Sequence, residues 1–197
     1  MSQAAHTEHH TSLGVDSRKL GMWILIASEC LLFASLIVTY LIYSRKGLSG
    51  PHPQEILNIP VTTISTFVLL MSSFSIVLAL AAIQRGDRKG FEKWILTTAL
   101  GGLTFLGFQV FEFTEFVQHG LGLTTNVFGS SFFLLTGTHG THVAVGVLWL
   151  LALYFTSRNG GLVKDAALKV DTMALYWHFV DVIWIVIFTV VYLFVYV

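Results

Sequence analysis

Two histidines, His139 and His142, sit in the stretch LTGTHGTHVAVG, inside a run from Phe128 to Phe155 that holds no charged residue. Imidazoles in so apolar a setting can ligate a metal, move a proton or tie helices together by hydrogen bonds. The other ionisable groups in comparable surroundings are Glu29, Glu112, Glu115, His178 and Asp181. Such groups are costly inside a membrane and usually face the interior of a helix bundle, so each is a functional candidate. His139 and His142 stand three residues apart, as do His178 and Asp181, which places each pair on one side of a helix.

For the two histidines, an interhelical hydrogen bond that fixes packing is the favoured reading. Metal or haem ligation is a second, but a first-row metal wants three or four ligands and a di-metal bundle wants inward Glu-x-x-His repeats. The segment HGTH has no such carboxylate nearby. A proton or lipid role is the third. His178 and Asp181 are read first as bonded to a neighbouring helix. Glu29 lies in GMWILIASECLLFASL with no basic residue within two turns. Left ionised in hydrocarbon it would be expensive, so it must be protonated, paired with another helix, or bound to a polar lipid or water. Glu112 and Glu115 fall toward the outer end of their stretch, where a structural or partly hydrated carboxylate is expected. Glu29, His142, His178 and Asp181 fall in the inner half of their stretches, so a cluster of the four is geometrically open.

The elements that must position these groups are five apolar stretches, about 21–43, 61–83, 94–117, 128–155 and 174–197. Each has the roughly 20 residues that a helix needs to cross a bilayer. Barrel strands would be about 10 residues long and alternate in polarity. Between the stretches lie connectors with turn chemistry, GLSGPHP, QRGDRKG, QHGLGLTTN and SRNGGLVKD. The reading is an all-α membrane protein, one five-helix bundle over residues 20–197. Residues 1–19 are expected to form a mobile polar tail and not a signal peptide, since no apolar run with a small-residue cleavage site stands among them.

Composition agrees. The chain is 54% hydrophobic and 11% charged, too little charge for the surface of a soluble domain of 197 residues. Its formal net charge of zero gives no reason to expect a nucleic-acid partner. The single cysteine, Cys30, cannot form an internal disulfide. Of the eleven Lys and Arg residues, Arg45 and Lys46 stand alone on one side. The other nine precede the first stretch or lie in the second–third and fourth–fifth connections, so the N-terminus is expected in the cytoplasm and the C-terminus outside.

Thr136, Gly140 and Ala144 recur every four residues, a small-residue ridge that lets a neighbouring backbone approach. Gly101, Gly102 and Gly107 are expected to do the same in the third helix. Trp23, Trp94 and Trp177 are expected in the interfacial aromatic belt. No phosphate-binding glycine motif, Ser/His/Asp arrangement or cysteine cluster stands out, nor a pair of interrupted helices of the kind many transporters carry. On residues alone, the chain reads as a packing or support subunit with a few buried protonatable groups.

At these residues the sequence resembles subunit III of the haem–copper respiratory oxidases. The likeness runs from about Leu20 onward through GMWILIASECLLFASL, TFVLLMSSFSIVLALAAIQRGDRKG, GFQVFEFTEF, FGSSFFLLTGTHGTHVAVG and YWHFVDVIWIVIFTVVYL, in family order and spacing. It implies an accessory, non-catalytic role in a proton-pumping complex that reduces dioxygen. The haems and copper would belong to subunits I and II, with no cofactor or metal on this chain. Glu29 would match the family's carbodiimide-reactive glutamate, His139 and His142 its histidine pair, and Trp177, His178 and Asp181 its last-helix motif. The family's subunit holds structural phospholipids, steadies subunit I and helps maintain proton uptake. A fourth subunit is a further candidate partner, and the expected location is a bacterial plasma membrane.

Many family members have seven helices, and some carry histidines where this chain has Leu80 and Ala81. Five-helix forms occur in oxidases fed by cytochrome c and by quinol. Cytochrome c is the favoured donor and quinol the alternative, with a membrane metalloenzyme or a transporter as readings from other classes.

Overall fold

The computed structural model describes residues 16–44, 59–160 and 166–193, and these are all helical apart from short connections. Helix α1 spans Ser17–Tyr43, α2 Ile59–Gln84, α3 Arg88–Gln118, α4 Val127–Arg158 and α5 Ala166–Phe188. A π-helical segment, Thr189–Leu193, continues α5. Five helices, the last taken together with its π-helical end, are long and apolar enough to cross a membrane.

The connections explain where the helices stop. Asp16, Asp87 and Asn126 cap the starts of α1, α3 and α4, their side chains accepting from the backbone N–H groups of Arg18, Gly90 and Gly129. Gly86 and Gly160, with φ of 75° and 76°, follow α2 and α4 in the left-handed conformation that ends a helix and turns the chain back. Each helix whose ends are described extends beyond its apolar run. Backbone hydrogen bonding continues through the headgroup region once a cap or glycine sets the boundary.

Helices α2, α3, α4 and α5 close into a four-membered ring in which each packs on two neighbours, and α1 lies against α4 and α5. α1 is the least buried span, with only Met22, Phe33 and Tyr40 fully covered. The ring is filled along its axis by large side chains, chiefly Trp177, Trp184 and Tyr192 from the last helix and Phe105, Phe116 and Phe132 from α3 and α4.

One end of the bundle collects Arg18, Lys19, Arg88 and Arg158. Lys19 Nζ donates to Asp171 at 2.7 Å, joining the starts of α1 and α5. Arg88 pairs with Glu92 at 2.9 Å and donates to the Arg158 carbonyl at 3.0 Å, joining the start of α3 to the end of α4. Ser157 adds a hydrogen bond to Glu92 at 3.0 Å. Arg45, Lys46 and Lys164, most of the expected polar tail and the last four residues of the expected fifth span lie outside the described residues.

Two packing expectations need correction. Trp177 is not a belt residue: it is fully buried on the bundle axis. Because α5 begins at Ala166, eleven residues earlier, the indole stands roughly 16 Å inside the helix. Gly107 is not a close-approach position, since a Cβ there would meet nothing within 4 Å. Gly101 and Gly102 behave as expected, with added Cβ atoms 2.7 Å from Ser72 and from Trp177 respectively.

Candidate functional site

The candidate residues are positioned by three layers of packing along the ring. In the first, the Trp177 indole occupies space left by small residues of three other helices. Its Nε1–H donates to Ser72 Oγ at 3.0 Å, and Cβ atoms built at Gly102 and Gly146 would stand 2.7 Å and 2.6 Å from its ring. In the second, Trp184 donates to Thr66 Oγ1 at 2.9 Å and packs at 4.8 Å between ring centroids against both Phe105 and His139. Beside it Gln109 crosses from α3 to donate to the Thr136 carbonyl at 2.7 Å, lying over Gly140, where there is no room for a methyl group. Thr136 and Gly140 are thus part of a helix contact as expected, whereas Ala144 is only half-buried.

The two histidines do different work. His139 is fully buried; its Nε2 faces the Val180 carbonyl at 3.2 Å and its Nδ1 has no hydrogen-bond partner. The Nε2–H tautomer is the one this geometry supports, because a carbonyl can only accept. His142 lies instead at the seam between α1 and α4. Its Nδ1 donates to the Thr138 carbonyl at 2.8 Å, and its Nε2 faces Glu29 Oε2 at 3.1 Å. With Nδ1 committed as donor, the contact to Glu29 needs exactly one shared proton. Either a neutral carboxyl donates to the imidazole or an imidazolium donates to a carboxylate. Phe33 stands edge-on to the imidazole at 5.1 Å, and Tyr176 donates to the His142 carbonyl at 3.0 Å, holding that turn in place. The Glu29 and His142 side chains remain 23% and 19% exposed, so the pair opens toward the outside of the bundle.

His178 and Asp181 face α2. The Ser73 hydroxyl meets His178 Nδ1 at 2.6 Å and also bears on Asp181. Asp181 is 3% exposed, yet neither carboxyl oxygen has a hydrogen bond of full geometry. The expected four-residue inner cluster therefore divides into a Glu29–His142 pair on the α1–α4 seam and a Ser73–His178–Asp181 group between α2 and α5.

At the opposite end from the basic residues, Glu112 takes the structural one of its two expected roles and not the hydrated one. It is 4% exposed and accepts a hydrogen bond from Thr62 of α2, with the buried Tyr192 hydroxyl beside it. The third layer of the bundle is thus a polar tie among α2, α3 and the π-helical segment. Glu115 is half-buried near the helix end, where its carbonyl faces His119 Nδ1 at 2.8 Å.

Ser72, Ser73, Thr66, Gln109 and Gly146 are structural partners of the site that the sequence reading did not name. A signal for the hydroxyls existed. Ser65 and Ser72, and Thr66 and Ser73, repeat at seven residues in an otherwise apolar helix. That spacing returns a helix to nearly the same face and marks the side that meets a polar neighbour. Among the described residues no three His, Cys, Asp or Glu side chains come together in a way that could hold a metal ion.

Comparison with known proteins follows the same lines. A family model described as cytochrome c oxidase subunit III matches residues 1–196. The chain is 42% identical over 189 residues to cytochrome c oxidase subunit 3 of Bacillus sp. (strain PS3), covering 96% of this chain and 91% of that one. It is 40% identical over 174 residues to quinol oxidase subunit 3 of Bacillus subtilis (strain 168), covering 88% and 85%. A probable quinol oxidase subunit 3 of Staphylococcus saprophyticus is 39% identical over 194 residues, covering 98% and 96%.

Proposed function

Since the chain belongs to the cytochrome c oxidase subunit III family, as a multi-pass membrane component of a terminal oxidase, we propose that it is the non-catalytic support subunit of an oxidase fed by cytochrome c. The observation that carries this reading is the pairing of its buried polar groups. Glu29 is matched to His142, His178 to Ser73, and Glu112 to Thr62, each across a helix interface. Side chains so engaged hold helices in register and can hold a proton; they do not present a set of converging metal ligands. Haem and copper are assigned to subunits I and II, which are the partners of this chain, with a fourth subunit as a further one.

The Glu29–His142 pair supports a role in lipid binding and proton supply. It lies roughly 18 Å from the start of α1 and is partly open at the seam between α1 and α4. A phospholipid acyl chain or a partner helix can lie against that seam, while the pair exchanges its shared proton with whatever polar group reaches it. The concentration of Lys and Arg at one end supports a cytoplasmic N-terminus and an outward C-terminus in a bacterial plasma membrane. On that orientation the pair serves proton uptake from the cytoplasmic side and steadies subunit I.

A relative named for cytochrome c stands beside relatives named for quinol at nearly the same identity. Quinol is therefore the second reading. The test is to purify the complex with this chain present and with it stripped, then supply reduced cytochrome c or a reduced quinol. The proposal expects cytochrome c to sustain oxygen uptake in both preparations at similar initial rates, with the stripped enzyme losing activity sooner. Uptake with quinol alone selects the second reading, and an immediate loss of turnover on stripping overturns the non-catalytic role.

A further inference from the structure

The geometry points to a proton-holding site at Ser73, His178 and Asp181, in which Asp181 is carried as the neutral acid and exchanges its proton through the Ser73 hydroxyl to His178. Three observations bring these residues together. Asp181 is 3% exposed and both of its carboxyl oxygens lack a hydrogen bond of full geometry. Ser73 is the hydroxyl that bears on it, and that same hydroxyl contacts His178 Nδ1 at 2.6 Å. His178 is half-buried in the groove between α2 and α5, so the chain of groups runs from the bundle's outer face to its interior. Asp181 stands fifteen residues into α5, roughly 22 Å along a segment about 42 Å long to Leu193. This is close to the midpoint of that helical segment.

An ionised carboxylate buried there without a partner is strongly disfavoured, and no Lys or Arg bears on Asp181 among the described residues. On α4, His139 is engaged through its Nε2–H with the carbonyl of Val180, the residue before Asp181. Glu29 and His142 are engaged with each other at the seam between α1 and α4. No described titratable group of α2 faces the site, whose α2 partner is Ser73.

Hydrogen-bond directions make the relay consistent. In the neutral state the Asp181 O–H is directed at Ser73 Oγ, the Ser73 O–H donates to His178 Nδ1, and His178 carries its own proton on Nε2. When a proton leaves, His178 Nδ1 takes the Ser73 proton and Ser73 takes that of Asp181. The Nε2 proton passes to an acceptor in the groove, such as water or a polar group of an adjoining subunit. One proton has been released, Asp181 is a carboxylate accepting from Ser73, and His178 is neutral with its proton on Nδ1. Reloading reverses each transfer. A hydroxyl that can turn between the imidazole and the carboxyl accounts for one bond being formed in the structure while the other is not.

The site deepens the proton-supporting role proposed above and rests on that reading for its purpose, but its test reads the carboxyl group directly. The assembled oxidase is prepared with carbonyl-labelled aspartate and examined by infrared difference spectroscopy in light and heavy water. The expected result is a protonated-carboxyl band that shifts with the label and in heavy water, is lost in Asp181→Asn, and exchanges more slowly in Ser73→Ala. The slowing should be about tenfold, equivalent to losing one hydrogen-bonded step, with Ser73→Thr restoring the wild-type rate. His178→Phe should slow it as Ser73→Ala does. No such band in the labelled wild-type complex overturns the neutral acid; exchange at the wild-type rate in Ser73→Ala and His178→Phe overturns the relay. If the band behaves as expected while turnover and durability are unchanged in Asp181→Asn, the site stands and the proton-supporting role fails.

Discussion

Glu29 of α1 and His142 of α4 meet at 3.1 Å across a seam that no other ion pair among the described residues bridges within the membrane span. They are 113 residues apart in sequence, and each resolves the other's difficulty. A carboxyl in hydrocarbon gains a proton partner, and an imidazole whose Nδ1 is already committed gains one for Nε2. This pair is also a main polar attachment of the least buried helix.

Replacing Glu29 by Gln should leave the initial rate of oxygen reduction unchanged and shorten the number of turnovers before activity is lost. Glu29→Ala should act in the same direction and more strongly, because it leaves His142 Nε2 with no polar side chain facing it. Oxygen uptake followed to inactivation checks both. Wild-type durability in the alanine variant contradicts a supporting role for the pair.

The axis around Trp177 should be intolerant of added volume. Gly146→Val or Gly102→Val forces side-chain atoms into the indole, and overpacking of this kind costs about 1–3 kcal/mol. Pairing either change with Trp177→Phe should recover part of the loss. Thermal stability of the complex in mild detergent reads this out; fully additive losses in the double variant mean that the contact is not what limits the site.

Glu112 separates a buried tie from a hydrated carboxylate. Glu112→Gln keeps an acceptor for Thr62 and should be close to neutral. Glu112→Ala removes it inside the bundle, and losing the partner of a buried hydroxyl costs about 1–3 kcal/mol. Adding Thr62→Val to the alanine variant should restore some of that stability. Equal stability of the Gln and Ala variants contradicts the tie.

The bridge between Lys19 and Asp171 is part-exposed at 37% and 30%, and pairs of that kind contribute less than about 1 kcal/mol. Lys19→Ala should therefore shift thermal stability only slightly, with the shift shrinking as salt is raised. A large, salt-insensitive loss contradicts the assignment of a solvent-screened pair.

How much of this was readable from the residues depended on distance along the chain. The five spans were legible because hydropathy over about twenty residues reports burial in a bilayer directly. The ends were not, because Asp16, Asp87 and Asn126 set them through caps outside the apolar runs. In α5 the start at Ala166, eight residues before the apolar run, puts Trp177 on the bundle axis and not in an interfacial belt. His139 and His142 lie on one side of α4, but three residues rotate a helix by about 300°, leaving them some 60° apart. That offset directs one into the ring against Trp184 and the other outward to Glu29. Which neighbour each would meet depends on how the helices are rotated, and no local pattern encodes it. The hydroxyls of α2 are a different case: their seven-residue repeat is a local signal in the sequence, and it went unread because no partner for it was named.

The central claim is that these buried titratable groups support a neighbouring catalytic subunit and hold no cofactor of their own. The most direct measurement is purification of this chain through a tag in mild detergent, with visible spectra and metal analysis before and after the partners are released. The account predicts haem and copper in stoichiometric amount with the intact complex and none left on this chain after release. Iron, copper or zinc that stays with the isolated chain and is lost when His139 and His142 are replaced would contradict it.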